Sequence, residues 1–231
     1  MLFVWGSVKK MDEANIDLLI FGAGGHATVC RECAADYRNP LFLYKEGDLS
    51  GMRSDAAPEE LHSLQQWKSL CHRAFVAIGD NHIRADVSER LTAAGFELVS
   101  LIHPRAIISP SAEIAAGVLV NAGAIVNAGA RLERGCIINS GAIVEHGCTV
   151  SAYAHLSPAA KLGGNTCIGQ KTWICIGATV IDGIHVGNES ILAAGSTLLV
   201  DLPDRMMAAG VPAKMKHRIK EVKRSTKHNE E

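Results

Sequence analysis

From Ile102 onward the chain repeats in sixes. Stepping by six gives Ile102, Ile108, Ile114, Val120, Val126, Leu132, Ile138, Val144, Val150, Leu156, Leu162, Ile168, Ile174, Val180, Val186, Leu192 and Leu198, seventeen aliphatics without an exception. The fifth place of most hexads is small, as at Ala124, Ala130, Cys136, Ala142, Cys148, Ala160 and Ser196, and the second is often Gly, Asn, Ser, Glu or Ala. A period of six matches neither the turn of a helix nor the alternation of a strand. It describes a parallel β-solenoid, in which short strands meet at tight corners and each hexad sends one aliphatic into a common core. Three hexads, eighteen residues, close one triangular coil. Gly or Asn at a corner tolerates positive φ.

The solenoid takes a little under half of the 231 residues, leaving room for one small domain before it. Residues 17–21 read as a buried strand, Gly22-Ala23-Gly24-Gly25-His26 as a glycine turn, and the stretch to about Tyr37 as a helix. Strand, glycine turn and helix open a nucleotide-binding βαβ unit, where helix N–H groups can receive phosphate. Further strands are expected over 41–44, 74–78 and 96–102, with Asp80 or Asn81 capping a helix that Gly95 ends. Residues 51–69 read as loop and a short helix. The expected domains are an α/β unit over 1–102, the solenoid over 103–202 and a C-terminal cap with a basic tail over 203–231. Met11 reads as the natural start. Solenoid ends expose strand edges and core, so the α/β domain is expected over one end and a C-terminal helix over the other.

Gly22-x-Gly24-x-x-Ala27 also fits the dinucleotide fingerprint. Against NAD, one half-size unit has room for a mononucleotide, and Tyr44-Lys45 stand where an acidic residue should end the second strand. His26 either contacts a phosphate or sugar or bonds to the backbone at the helix start.

A net charge of −1 and a pI near 6.8 give no global bias toward nucleic acid or membrane. No apolar run reaches the roughly 18 residues of a membrane span. The seven cysteines are scattered, which suits reduced thiols in the cytoplasm. Cys30-x-x-Cys33 lacks a second pair for zinc and reads as packing, and no metal site is expected.

Chemistry must come from polar residues that the repeat does not require. His146, third in its hexad, and His155, sixth in the next, are the candidates; Trp173, eighteen after His155, should stack on it one coil further on. His185 reads as a solvated surface histidine. No Ser or Cys nucleophile with a paired base is readable, so direct transfer between two bound substrates, with one histidine taking the proton, is the economical mechanism.

The opening Phe21-Gly22-Ala23-Gly24-Gly25-His26, with Ala77-Ile78-Gly79-Asp80-Asn81, Ile83-Arg84, Leu101-Ile102-His103, Ile108-Ser109-Pro110-Ser111-Ala112, Val144-Glu145-His146 and Gly210-Val211-Pro212-Ala213-Lys214, resembles the left-handed β-helix, hexapeptide-repeat acyltransferases. Within them it is similar to the subgroup acting on nucleotide sugars or sialic acid, such as UDP-N-acetylbacillosamine N-acetyltransferase. The resemblance implies a cytoplasmic homotrimer using acetyl-CoA, with the α/β domain holding a UDP-sugar through Gly24, Gly25, His26 and Gly79, and with Tyr44 and Lys45 beside the uridine. It implies His146 as general base and His155, Ile176, Ala194 and Lys214 as coenzyme contacts. The chain departs from the pattern in having Gly147 where an acid usually follows the base; Glu145 or a backbone carbonyl is left to orient the imidazole. The expected reaction is N-acetylation of a nucleotide-linked 4-amino-4,6-dideoxy sugar. O-acetylation of sialic acid or a related sugar, and a non-catalytic or NAD-binding solenoid, are the alternatives.

Overall fold

The computed structural model describes residues 2–3, 16–22, 24–34, 36–45 and 64–220. Met11, residues 51–63 and the tail beyond 220 lie outside the described residues, as do the side chains of Tyr44 and Lys45.

The N-terminal domain runs β1 (Leu2–Phe3), β2 (Leu18–Phe21), α1 (Gly25–Cys33), β3 (Pro40–Lys45), α2 (Leu64–Leu70), β4 (Arg73–Val76), α3 (Asn81–Ala93) and β5 (Glu97–Leu98). Its sheet has the order β1-β3-β2-β4-β5, parallel except for the β1 edge. Strand β2 is apolar throughout and buried, as a central parallel strand covered on both faces must be. Gly22 ends it where β4 runs on: its φ is +136°, and a Cβ there would sit 2.5 Å from the Ala77 carbonyl oxygen. Asp80 caps α3 by accepting from the N–H groups of His82 and Ile83, both at 2.9 Å. Two expectations shift. Helix α1 stops at Cys33, and the strand expected over 96–102 divides, its second half, Leu101–Ile102, joining the solenoid.

Every hexad contributes a two-residue strand, and strands eighteen apart pair in parallel, as Ile125 with Ile143 and His155 with Trp173. The strands form three faces. The first runs from Ile107–Ile108 to Thr197–Leu198, the second from Glu113–Ile114 to His185–Val186, and the third from Leu101–Ile102 to Ile191–Leu192. The aliphatic row from Val120 to Leu198 is buried and forms one core with the small fifth-place residues. Each such side chain contributes about 1.5–3 kcal/mol. The first coil is the exception: Ile102 is 38% exposed, because no coil precedes it. Positive φ falls at the fourth place of the hexad rather than the second, from Gly117 through Gly147 to Gly195, with Tyr153, Ala159, Asn165, Lys171 and Glu189 in the same conformation.

Two further expectations are corrected. The C-terminal cap is a β-hairpin, Met206–Gly210 with Ala213–Arg218, not a helix. Its first strand pairs in parallel with Ile191–Leu192, so the open edge of the last coil gains backbone hydrogen bonds that a helix could not supply. The N-terminal domain lies along the third face, not over an end. There the outward residues Leu101, Leu119 and Ile137 are apolar and pack with Leu18, Ile20, Ala27, Cys30 and Cys33. Cys30 and Cys33 are thus core residues; burial pushes the Cys33 thiol up to about 11 and raises Cys30 further, away from thiolate chemistry.

Candidate active site

The three corners of the solenoid carry different chemistry. His146 occupies the corner between the first and second faces, in the turn between Ile143–Val144 and Thr149–Val150. Its side chain is exposed and its ring rests on the backbone of Gly164, one coil on: a Cβ at Gly164 would lie 2.6 Å from both Cε1 and Nε2 of the imidazole. The Gly164 N–H donates to Asp182 Oδ1 at 2.6 Å, which fixes this floor from the next coil. Glu145 accepts from the backbone N–H of His146 at 3.3 Å, so its carboxylate is turned to the main chain. Gly147 holds the fourth-place turn with φ +66°; Glu189 occupies the same place at φ +54°, so the turn itself does not exclude an acid.

The corner between the third and first faces carries Ile176 and Ala194, stacked on adjacent coils through the Gly195 N–H to the Ile176 carbonyl at 2.9 Å. Ile176 is 57% exposed. The hairpin folds toward this corner, its Gly210 N–H donating to Ser196 Oγ at 3.0 Å, and it carries the exposed Lys214 opposite Ala209.

Gly24, Gly25, His26, Gly79 and His155 meet at the seam between the domains. Gly24 caps α1 without any side-chain partner and no acid stands in the first turn, so the helix start presents free N–H groups. A Cβ at Gly25 or Gly79 would meet nothing within 4 Å, so packing does not demand glycine there. The His26 ring lies 6.3 Å from that of His155, and the His155 ring stacks on Trp173 at 6.2 Å and 13°. His155 is only 9% exposed, with Nε2 3.3 Å from Asn139 Nδ2. The His26 Nε2 is buried with no partner among the described residues. Such an orphan inside a seam costs about 1–3 kcal/mol unless something fills it. Burial, then the nearby Arg84 cation, lower His26 to about 4 and His155 to about 3, so both are neutral imidazoles at physiological pH.

Sequence reasoning assigned no role to Arg84, Gly164 or Asp182, and to Asn81 only that of a candidate helix cap. Gly164 had a signal, since Gly163-Gly164 fall eighteen residues after Glu145-His146 where the repeat requires no glycine pair. Arg84 had none. Tyr44 and Lys45 end β3, with their backbones paired to β1. His185 is exposed at the end of the second face, beside an open groove of about 380 Å³ that Asp201 and Asp204 also line. Among the described residues no group of three or more His, Cys, Asp or Glu is placed to hold a metal ion, and no helix is long and apolar enough to cross a membrane.

A solenoid of hexads with an α/β nucleotide-type domain along one face, and an exposed histidine at a corner, defines an acyltransferase of the β-helix class. Residues 17–91 match the PglD N-terminal domain family. The chain is 36% identical to PerB from Caulobacter crescentus, solved with CoA and GDP-perosamine, covering 87% of this chain and 97% of that one at a TM-score of 0.79. It is 39% identical to the acetyltransferase domain of PglB from Neisseria gonorrhoeae FA1090, solved with acetyl coenzyme A, covering 87% and 100% at a TM-score of 0.79. A curated relative, galactoside O-acetyltransferase of Escherichia coli (strain K12), is 34% identical over 61 residues, 26% of this chain and 29% of that one. The chain thus spans only a quarter to under a third of the curated relatives it matches. This chain belongs to the left-handed β-helix, hexapeptide-repeat sugar acyltransferase family.

Proposed function

We propose that the protein transfers the acetyl group of acetyl-CoA to the amino group of a nucleotide-linked 4-amino-4,6-dideoxy sugar. The observation that carries this reading is the likeness over 87% of the chain to PerB, whose structure holds CoA and GDP-perosamine. A nucleotide sugar at the seam would set its diphosphate at the free N–H groups of α1 and beside Gly25 and Gly79, with His26 Nε2 paired to a sugar or phosphate group. Acetyl-CoA would lie along the corner of Ile176 and Ala194, with Lys214 near its phosphates and His155 beside the acyl end. The sugar amine attacks the thioester carbonyl, His146 takes the proton released from nitrogen, and as the C–S bond breaks the imidazolium returns that proton to the departing sulfur, so that coenzyme A leaves as the thiol.

In one chain His146, the seam and the Ile176 corner stand at different corners, so the reacting groups must be brought together by a second copy. The outward residues Ile107, Ile125 and Ile143 give the first face an apolar patch suited to that packing, Ile107 being 63% exposed. We read the assembly as a cyclic homotrimer with the site between subunits. The seven cysteines are unpaired, which supports a reducing, cytoplasmic setting.

The test is acetyl transfer measured as thiol release and product mass, with UDP- and GDP-linked 4-amino-4,6-dideoxy sugars and with sialic acid. Mass gain of one acetyl on a nucleotide-linked amine is the expected result. Turnover of sialic acid hydroxyls with neither amino sugar accepted would overturn it in favour of O-acetylation.

A further inference from the structure

Arg84 is 1% exposed at the centre of the interface between the domains, and all five of its N–H donors are used. Nε donates to the Gly135 carbonyl at 2.8 Å, and Nη2 to the Tyr153 carbonyl and Asn81 Oδ1, both at 2.7 Å. Nη1 donates to the carbonyls of Ile78 and Gly79 at 3.1 and 3.0 Å. Asn81, one residue into the same helix, donates from Nδ2 to the Lys171 carbonyl at 2.9 Å. Gly135, Tyr153 and Lys171 are the fourth-place residues of three successive coils at one corner, with φ of +66°, +60° and +55°. Left-handed turns thus aim a row of carbonyls outward, and the start of α3 reads that row. Tyrosine in this conformation costs about 1 kcal/mol or more and persists only where the surroundings impose it.

Among the described residues no carboxylate forms an ion pair with the guanidinium. Asp80, the nearest acid, is occupied as the α3 cap, and the facing Cys30 and Cys136 thiols are held protonated by burial, Cys136 up to about 12. A hydrophobic seam would stabilise the contact without importing a charge. The charge faces the seam: Arg84 bears on both His26 and His155, and His155 also hydrogen-bonds the backbone of Gly79, whose carbonyl Arg84 holds.

We infer that Arg84 is a positioning residue for the nucleotide sugar: it fastens the Gly79 turn to the carbonyl row and thereby sets where His26 and His155 stand. Its charge adds to burial in favouring the neutral form of both rings, and a neutral imidazole can accept a hydrogen bond from substrate, which an imidazolium cannot. The assignment rests on the reading of the N-terminal domain as the nucleotide-sugar site.

Two variants of the full chain separate geometry from charge. Arg84→Lys keeps the cation, but its three donors in a compact head cannot span the five acceptors. Arg84→Met removes both. At pH 8 both variants should raise KM for the nucleotide sugar by about 10-fold, with KM for acetyl-CoA changed less than about 2-fold. Between pH 8 and 4.5, below the raised His26 midpoint, the Arg84→Met variant should lose a further several-fold in that KM while Arg84→Lys loses much less. Titration of ¹⁵N-labelled histidines by NMR reads the charge effect without any substrate: midpoints for His26 and His155 should rise by about one pH unit or more in Arg84→Met and stay near wild type in Arg84→Lys. If Arg84→Met does not fold, the KM pattern of Arg84→Lys decides. Wild-type KM in Arg84→Lys, unmoved midpoints in a folded Arg84→Met, or equal losses for both substrates would each overturn the assignment. Midpoints that move as expected while no nucleotide sugar binds the wild type would instead remove the substrate reading and leave the charge effect standing.

Discussion

At the scale of single residues, the His146 corner makes the sharpest predictions. A general base contributes about 10²–10⁴ in rate, and an exposed imidazole holds little of the core. His146→Ala should therefore lower kcat by that range with the melting temperature nearly unchanged. Gly164→Ala tests the same group from beneath: the new methyl would meet the ring at 2.6 Å and push it aside. A kcat loss of about 10-fold or more in a normally melting protein is expected; wild-type turnover would show that the ring's resting place is unimportant. With its carboxylate turned to the backbone, Glu145→Gln should change kcat/KM by less than about 10-fold. The seam makes a pH prediction. His26 and His155 have folded values near 4 and 3, below the 6.5 of the unfolded chain, so the unfolded state binds more protons between those values. The stabilisation is complete above pH 6.5 and is lost as pH falls toward 4. By pH 5 the loss is about 2 kcal/mol per imidazole, readable as a falling urea midpoint.

At the scale of elements, α3 connects the two domains. Its cap at Asp80 accepts from the N–H groups of His82 and Ile83 and so holds the turn that carries Asn81, the first residue of the helix, whose side chain bonds to the solenoid. Asp80→Ala should cost about 1 kcal/mol, a melting shift of about 2–4 °C in a chain of this size. Because a frayed first turn loosens Asn81 and Arg84 as well, KM for the nucleotide sugar should rise in the same variant. The helix and its cap were legible from Asp80, Asn81 and Gly95. The hairpin was not: Gly210-Val211-Pro212 announces a turn, but Met206–Gly210 before it is short and shows no apolar/polar alternation, and Ala213–Arg218 after it is dominated by basic residues. What makes it sheet is the unpaired edge of Ile191–Leu192 waiting beside it.

At the scale of the whole molecule, light scattering at micromolar concentration should report about three times 24.6 kDa. If the site is shared between subunits, Ile125→Glu, on the outward first face, should lower that mass and abolish transfer together. A fully active monomer would exclude the shared-site reading. Outward residues at eighteen-residue spacing already distinguish the faces in the sequence: Leu101, Leu119 and Ile137 on one, Glu113, Arg131 and Thr149 on another, Ile107, Ile125 and Ile143 on the third. Tertiary structure decides which apolar face the chain covers itself and which it leaves for a partner.

The sequence by itself determined the solenoid, its eighteen-residue coil, the stacking of Trp173 on His155 and the α/β domain, because each follows from side-chain periodicity or local turn chemistry that a linear chain displays directly. It did not determine where that domain docks, the burial of His155, the Gly164 floor under His146 or the reach of Arg84 and Asn81 across three coils. Those depend on backbone carbonyls and on the absence of a Cβ at a distant position. A carbonyl belongs to every residue alike, so only the folded chain shows which ones are aimed at a cation.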